Sequence, residues 1–111
     1  MNYEVEFTRS AIADLSDIVD WIARNDSAQH ALHVLDQIQA KTDSLSTHPE
    51  RGAVPLELRS LGIDKYREVF FKPYRIIYQV RDNRVIINLV ADGRRDMNSL
   101  LQRRLTMPQI D

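Results

Sequence analysis

The sequence predicts an α+β domain in which a helical hairpin packs on a small, mostly antiparallel sheet. Two observations favour this class. Apolar residues recur at helical spacing through the first half of the chain, and they alternate at strand spacing through much of the second half. The predicted order of elements is β-α-α-β-β-β-α. A chain of 111 residues is close to the commonest size of one domain, so we assign residues 1–111 to a single domain.

The first half begins with a predicted strand at Tyr3–Phe7, where apolar and acidic side chains alternate. Thr8 or Ser10 can then cap a first helix that ends near Asp26, and Ser27 can cap a second. The short break between them predicts an antiparallel hairpin. The stripe expected to face the core comprises Ile12, Leu15, Ile18, Val19 and Ile22, then Ala28, Ala31, Leu32, Leu35, Ile38, Thr42 and Leu45.

The remaining notable residues of the first helix are three aspartates and the single tryptophan. Asp14, Asp17 and Asp20 lie away from the apolar stripe, so we expect them to be solvated. Trp21 is expected to anchor the core or the hairpin and not to form a functional site.

The second half starts with a predicted loop over Ser46–Leu61, which contains two prolines and a glycine. Three strands follow, at Tyr66–Phe71, Tyr74–Arg81 and Arg84–Ala91. The Asp82-Asn83 pair suits a two-residue hairpin turn between the last two strands. Met97–Leu105 is a short helix in this prediction and is expected to pack on the sheet or on a partner.

Composition narrows the possible classes of function. The chain has no cysteine, which excludes disulfides and thiolate catalysis. The start, MNYEVEF, lacks the pattern of a secretory signal, and no apolar run approaches the roughly 20 residues of a membrane span. We therefore expect a cytoplasmic protein with no membrane partner. We expect no metal or organic cofactor, because no cluster of histidines and carboxylates has ligand spacing.

Charge is divided unevenly between the two halves. Residues 1–54 carry nine acidic and four basic groups, whereas residues 55–111 carry seven acidic and eleven basic groups. Such a division suggests an anionic partner for the basic half. A small sheet that carries its positive charge on its solvated face would give the same balance, so composition leaves both interpretations open.

Two further sets of residues contribute to the basic half. Arg81 and Arg84 flank the predicted hairpin turn and are interpreted as solvated surface. Arg103 and Arg104 fall late in the last helix, where their charge complements the helix dipole.

Three segments together resemble the RelE/ParE superfamily of bacterial type II toxin–antitoxin systems. They are SLSTHPERG after the helical hairpin, then YREVFFKPYRIIYQV, then VIINLVADGRRD. The resemblance covers roughly residues 3–105, and the order and spacing of the segments carry it more than any single motif. It implies a RelE/ParE-like fold and a growth-inhibiting toxin that a cognate antitoxin neutralises.

Two activities are known in this superfamily. RelE-like members cut mRNA in the ribosome, whereas ParE-like members inhibit DNA gyrase. The resemblance places three arginines at the positions of RelE-like catalytic groups, and these could converge on one phosphate: Arg67, Arg75 and Arg95. With Arg94 they form a predicted patch for binding the target or a nucleic acid, because guanidinium groups bind phosphate well.

The proton carriers of RelE-like nucleases have no clear counterpart here. Val69, Leu101 and Asp92 stand where the family often has a basic residue, a tyrosine and a histidine. Arginine stays protonated near neutral pH, so Asp92 or Glu68 could act as a base only with a raised pKa. The histidines lie elsewhere and are interpreted as surface groups: His30, His33 and His48. These departures favour gyrase as the target, and the ribosome with its mRNA is the alternative.

The last helix yields a prediction about the antitoxin. Leu100, Leu101 and Leu105 are expected to expose more apolar surface than a short helix can bury on a small sheet. The C-terminal helix and the adjoining sheet face are therefore predicted to form part of the antitoxin or target interface.

Overall fold

The computed structural model describes residues 2–105 and contains one four-stranded sheet, in the order β1-β4-β3-β2. The strands are β1 (Glu4–Phe7), β2 (Tyr66–Phe71), β3 (Tyr74–Arg81) and β4 (Arg84–Asp92). The β1 strand runs parallel to β4, and the other two pairs are antiparallel. The predicted α+β class and the mostly antiparallel sheet are confirmed.

The two long helices are α1 (Arg9–Asn25) and α2 (Ala28–Asp43), and a 3₁₀ turn at Ser44–Ser46 follows them. Thr8 caps α1, since its hydroxyl accepts a hydrogen bond from the Ala11 amide at 3.1 Å. Ser27 caps α2 in the same way through the His30 amide, at 3.0 Å. Each cap satisfies an amide that a helix N-terminus leaves without a partner. The predicted hairpin is confirmed.

The sheet is covered on both faces. The hairpin side carries α1 and α2, and its core includes Ile22, Val34, Ile38, Ile76, Tyr78 and Ile87. The opposite side, which we call the α4 side, carries α3 (Leu56–Arg59) and α4 (Met97–Leu105). Its core includes Leu58, Tyr66, Ile77, Leu89, Leu100 and Leu101. Burial on both faces explains why β4 is apolar along most of its length.

Some side chains of the predicted stripe are in solvent. Ile12 and Leu32 are exposed, whereas Ala11 and Val34 are buried at neighbouring positions. The predicted and the observed buried residues both follow the helical period, but packing on the sheet determines which side of each helix is buried. The predicted loop is also wrong in part, because it contains α3.

Tyr78 fixes the segment that leads to α3. Its hydroxyl donates to the Pro49 carbonyl at 2.8 Å and accepts from the Gly52 amide at 3.1 Å. A Cβ atom at Gly52 would lie 2.5 Å from the Glu68 carbonyl oxygen, so this close approach requires glycine. No helix within residues 2–105 has the length and apolar character needed to cross a membrane.

Candidate functional site

A cleft of about 430 Å³ lies on the hairpin side, between α1 and the carboxyl end of β4. Its walls combine aromatic, acidic and basic side chains: Asp14, Asp17, Trp21, Tyr74, Asp92, Arg94 and Arg95. Trp21 is 60% exposed, so the prediction that it anchors the core is wrong. Its position outside the apolar stripe of α1 was the sequence signal for exposure.

Arg94 and Asp92 form an ion pair at the mouth of this cleft. The Arg94 backbone amide and Nε atom each donate to Asp92 Oδ1 at 2.9 Å. The hydrogen bond from the Arg94 side chain holds the pKa of Asp92 below its ordinary value, and the Arg95 charge acts in the same direction. A carboxylate with a lowered pKa is a weaker base, which is the opposite of what the nuclease interpretation requires of Asp92.

Arg95 is the available cation of the cleft. It is exposed, and its guanidinium forms no hydrogen bond or ion pair with any residue in the described range 2–105. Tyr74 lies half-buried on the same cleft, and burial, together with the Asp92 charge, raises the pKa of its phenol. Tyr74 therefore stays protonated near neutral pH and can donate a hydrogen bond.

Arg75 lies on the α4 side, away from this cleft. Its Nη1 and Nη2 atoms donate to the two oxygens of Glu57 at 2.8 Å each, and its Nε atom donates to Glu68 at 2.7 Å. The side chain is 12% exposed. Its pKa is raised, chiefly by the hydrogen bond to Glu57. Both acidic partners already occupy the donors that would otherwise bind an anion.

Arg67 points to the hairpin side, because it pairs across the strands with Tyr78, whereas Arg75 pairs with Ala91 of the α4-side core. Its Nη1 atom donates to the Gly52 carbonyl at 2.6 Å and to the Glu50 carbonyl at 3.3 Å. The prediction that Arg67, Arg75 and Arg95 converge on one phosphate is therefore wrong. Only Arg94 and Arg95 of the predicted patch share a cleft.

The leucines of α4 are core residues and not an exposed apolar surface. Leu100 and Leu101 are buried against β3 and β4, and Leu105 packs partly buried against the same cluster. The expectation that they expose excess apolar surface is wrong because α3 and the segment after it complete a second small core. Residues 2–105 alone are therefore enough to bury these side chains, without contact from another protein.

Asp14 lines the cleft, but its environment differs from the solvated position that the sequence predicted. Its Oδ2 atom accepts from the Val90 amide at 3.1 Å, and its Oδ1 atom accepts from Arg104 at 2.8 Å. Arg104 also donates to the Asn88 carbonyl at 2.9 Å. Asp14 is therefore largely buried, not solvated, and Arg104 joins α4 to α1 and β4 in addition to any effect on the helix dipole.

The arginines beside the hairpin turn and the three histidines were also predicted to lie on the surface. Arg81 is exposed, as expected, whereas Arg84 is only partly exposed and pairs with Glu6 at 3.2 Å. None of the three histidines lines the cleft. Within residues 2–105, no group of three histidine or carboxylate side chains is placed to hold a metal ion.

Comparison with known structures identifies the fold. A chromosomal ParDE toxin–antitoxin system from P. aeruginosa gives a TM-score of 0.67 at 20% identity, covering 81% of this chain and 95% of that one. The RelBE2 toxin–antitoxin complex from Mycobacterium tuberculosis gives 0.57 at 24% identity, covering 83% and 92%. A free mutant of the E. coli toxin RelE gives 0.64 at 15% identity, covering 96% and 97%. The fold is that of RelE/ParE-like toxins.

A family model, the ParE toxin of the type II toxin–antitoxin system parDE, matches the sequence over residues 5–97. No match was found among curated proteins. Because the family model spans most of the chain, including both helices of the hairpin and strands β2 to β4, the protein belongs to the ParE toxin family of type II toxin–antitoxin systems.

Proposed function

We propose that this toxin inhibits DNA gyrase, that it acts in the cytoplasm, and that a cognate antitoxin neutralises it. The match to the ParE toxin family over residues 5–97 carries this proposal. The surface that engages the target is the cleft between α1 and β4, where Trp21, Tyr74 and Arg95 lie together. Tryptophan, tyrosine and arginine are the residues that most often dominate the binding energy of protein interfaces.

The chemistry of the cleft supports binding over cutting. RNA cleavage requires a group that removes a proton from the 2′-hydroxyl. The pKa of Asp92 is lowered by Arg94, and the pKa of Tyr74 is raised by burial, so neither suits the role of base near neutral pH. Arg95, which stays protonated, can attract an anionic group on a target but cannot accept a proton.

The experiment is a paired assay on the purified toxin. One arm measures supercoiling and cleavage-complex formation by DNA gyrase, and the other measures cleavage of mRNA on a programmed ribosome. We expect inhibition in the first arm and intact mRNA in the second. Codon-dependent cleavage of mRNA without an effect on gyrase would overturn the proposal and favour the endoribonuclease alternative.

A further inference from the structure

The α1 wall of the cleft combines an acidic and an aromatic side chain. Asp14, Asp17, Ile18 and Trp21 have the i, i+3, i+4, i+7 spacing of one helix face, and all four line the cleft. Asp17 precedes Trp21 by four residues, which places their Cβ atoms roughly 5–6 Å apart. Trp21 is 60% exposed. A group that enters the cleft along α1 therefore meets a carboxylate and an indole ring together.

Of the three carboxylates that line the cleft, only that of Asp17 is available to a partner. The other two are neutralised by arginines, in the pairs Asp14–Arg104 and Asp92–Arg94. Asp17 is exposed, and its carboxylate has no hydrogen bond or ion pair with any residue in the described range 2–105. The α1 wall thus carries one negative charge that nothing within that range compensates.

The opposite wall presents the free cation Arg95 on a turn that is fixed to the start of β3. The Gly93 amide donates to the Pro73 carbonyl at 2.8 Å, and the Arg95 amide donates to the Asp92 carbonyl at 3.1 Å. A Cβ atom at Gly93 would lie 2.8 Å from Arg75 Cδ, so the turn packs directly on the aliphatic part of Arg75. The backbone that carries Arg95 is therefore ordered before a partner binds, which lowers the entropic cost of binding.

The two free charges distinguish a protein segment from a nucleic acid as the occupant. A nucleic acid presents phosphates to both walls, so its attraction to Arg95 would be opposed by repulsion from Asp17. A protein segment can place a basic side chain at Asp17 and an acidic side chain at Arg95. A cation over the ring of Trp21 gains further stabilisation, because tryptophan is the best aromatic partner for a cation.

We propose that the cleft binds a protein segment of the target, in which one arginine side chain contacts Asp17 and Trp21 and a neighbouring acidic side chain contacts Arg95. This inference rests on the proposed function for the identity of the target, and it adds that the cleft contacts the protein of gyrase and not the DNA that gyrase holds. Arginine suits the α1 wall better than lysine, because a guanidinium group pairs with a carboxylate and stacks on an aromatic ring.

The fluorescence of Trp21 provides the test, because this residue is the only tryptophan of the chain and lines the cleft. The purified toxin is titrated with a short blocked peptide that contains one arginine and one glutamate. The same peptide with citrulline, the uncharged isostere of arginine, is the matched probe, and a short DNA duplex is the third. We expect a saturable change with the arginine peptide and at least about tenfold weaker binding of the citrulline peptide. The duplex should not displace the arginine peptide.

Asp17→Asn should weaken binding of the arginine peptide by about tenfold and remove its advantage over the citrulline peptide. Asp20→Asn is the matched control, since Asp20 is exposed on the same helix but does not line the cleft, and it should bind as the wild type does. Absence of saturable binding, equal binding of the two peptides, an unchanged affinity in Asp17→Asn, or displacement by the duplex would each overturn the inference.

Failure of this inference and failure of the proposed function are distinguishable, because no probe contains gyrase. A toxin that prefers the arginine peptide but does not inhibit gyrase refutes only the proposed target. A toxin that inhibits gyrase but binds the two peptides equally refutes only the inference about the cleft.

Discussion

Arg75 and Glu57 are joined by two parallel hydrogen bonds of 2.8 Å each, across 18 positions in sequence. This pair holds α3 on the sheet, and Glu68 completes it from β2 at 2.7 Å. Paired guanidinium and carboxylate groups of this geometry are stronger than single-contact ion pairs. Arg75, one of the three arginines predicted to converge on a phosphate, is therefore part of the scaffold.

Replacing Arg75 by alanine should reduce the free energy of unfolding by about 3 kcal/mol, because two poorly exposed carboxylates lose their cation. Chemical denaturation measures this change. Arg81→Ala is the matched control, since Arg81 is exposed, and it should change stability by less than about 0.5 kcal/mol. Equal effects of the two substitutions would contradict the scaffold role.

The Arg75–Glu57 pair also predicts a pH dependence. The hydrogen bond from Arg75 lowers the pKa of Glu57 below its ordinary value of 4.5. A lowered pKa in the folded state means that the stabilisation is present above pH 4.5 and is lost as the pH falls through the lowered value. The difference in unfolding free energy between wild type and Glu57→Gln should thus be constant from pH 7 to about 5 and shrink in more acidic solution. A difference that grew on acidification would contradict this assignment.

The core position of Leu101 predicts a large effect of truncation. Leu101 is 1% exposed, so Leu101→Ala should cost about 2–5 kcal/mol of unfolding free energy through lost burial and a cavity. Leu61→Ala should cost less than about 1 kcal/mol, because that leucine is already in solvent. Thermal or chemical denaturation compares the two. Similar small losses would mean that α4 is not packed as described.

Asp14 predicts a local effect on hydrogen exchange. Asp14→Ala removes the acceptor of the Val90 amide and the carboxylate that pairs with Arg104. We expect the Val90 amide to exchange faster, and the amides of α4 to lose protection as well. Asp17→Ala provides the control, since Asp17 is exposed on the same helix. Unchanged exchange at Val90 would contradict the role given to Asp14.

The sequence predicted the backbone well where the signal is local. The bounds of β2, β3 and α4 agree with the structure. For the two strands, turn residues and alternating apolar side chains mark those bounds. Asp82 has φ +57°, as a two-residue hairpin turn requires at its first position. These features depend on neighbours within a few residues.

The side-chain environment was harder to predict because it depends on distant partners. Asp14 and Arg104 are 90 positions apart, so nothing near either residue signals that they pair. The same reason applies to Arg75: a strand pattern alone does not reveal that α3 returns to the sheet. Leu100 and Leu101 looked exposed because the second core needs Leu58, which lies in the segment predicted to be a loop.

We expect the cleft with Trp21, Tyr74 and Arg95 to bind gyrase. The direct test is a titration of gyrase supercoiling with wild-type toxin, Arg95→Ala and Trp21→Ala, with Arg81→Ala as the control. We expect each cleft substitution to raise the half-inhibitory concentration by about tenfold or more, at unchanged stability, while Arg81→Ala inhibits as wild type does. Full inhibition by both cleft variants would contradict the claim.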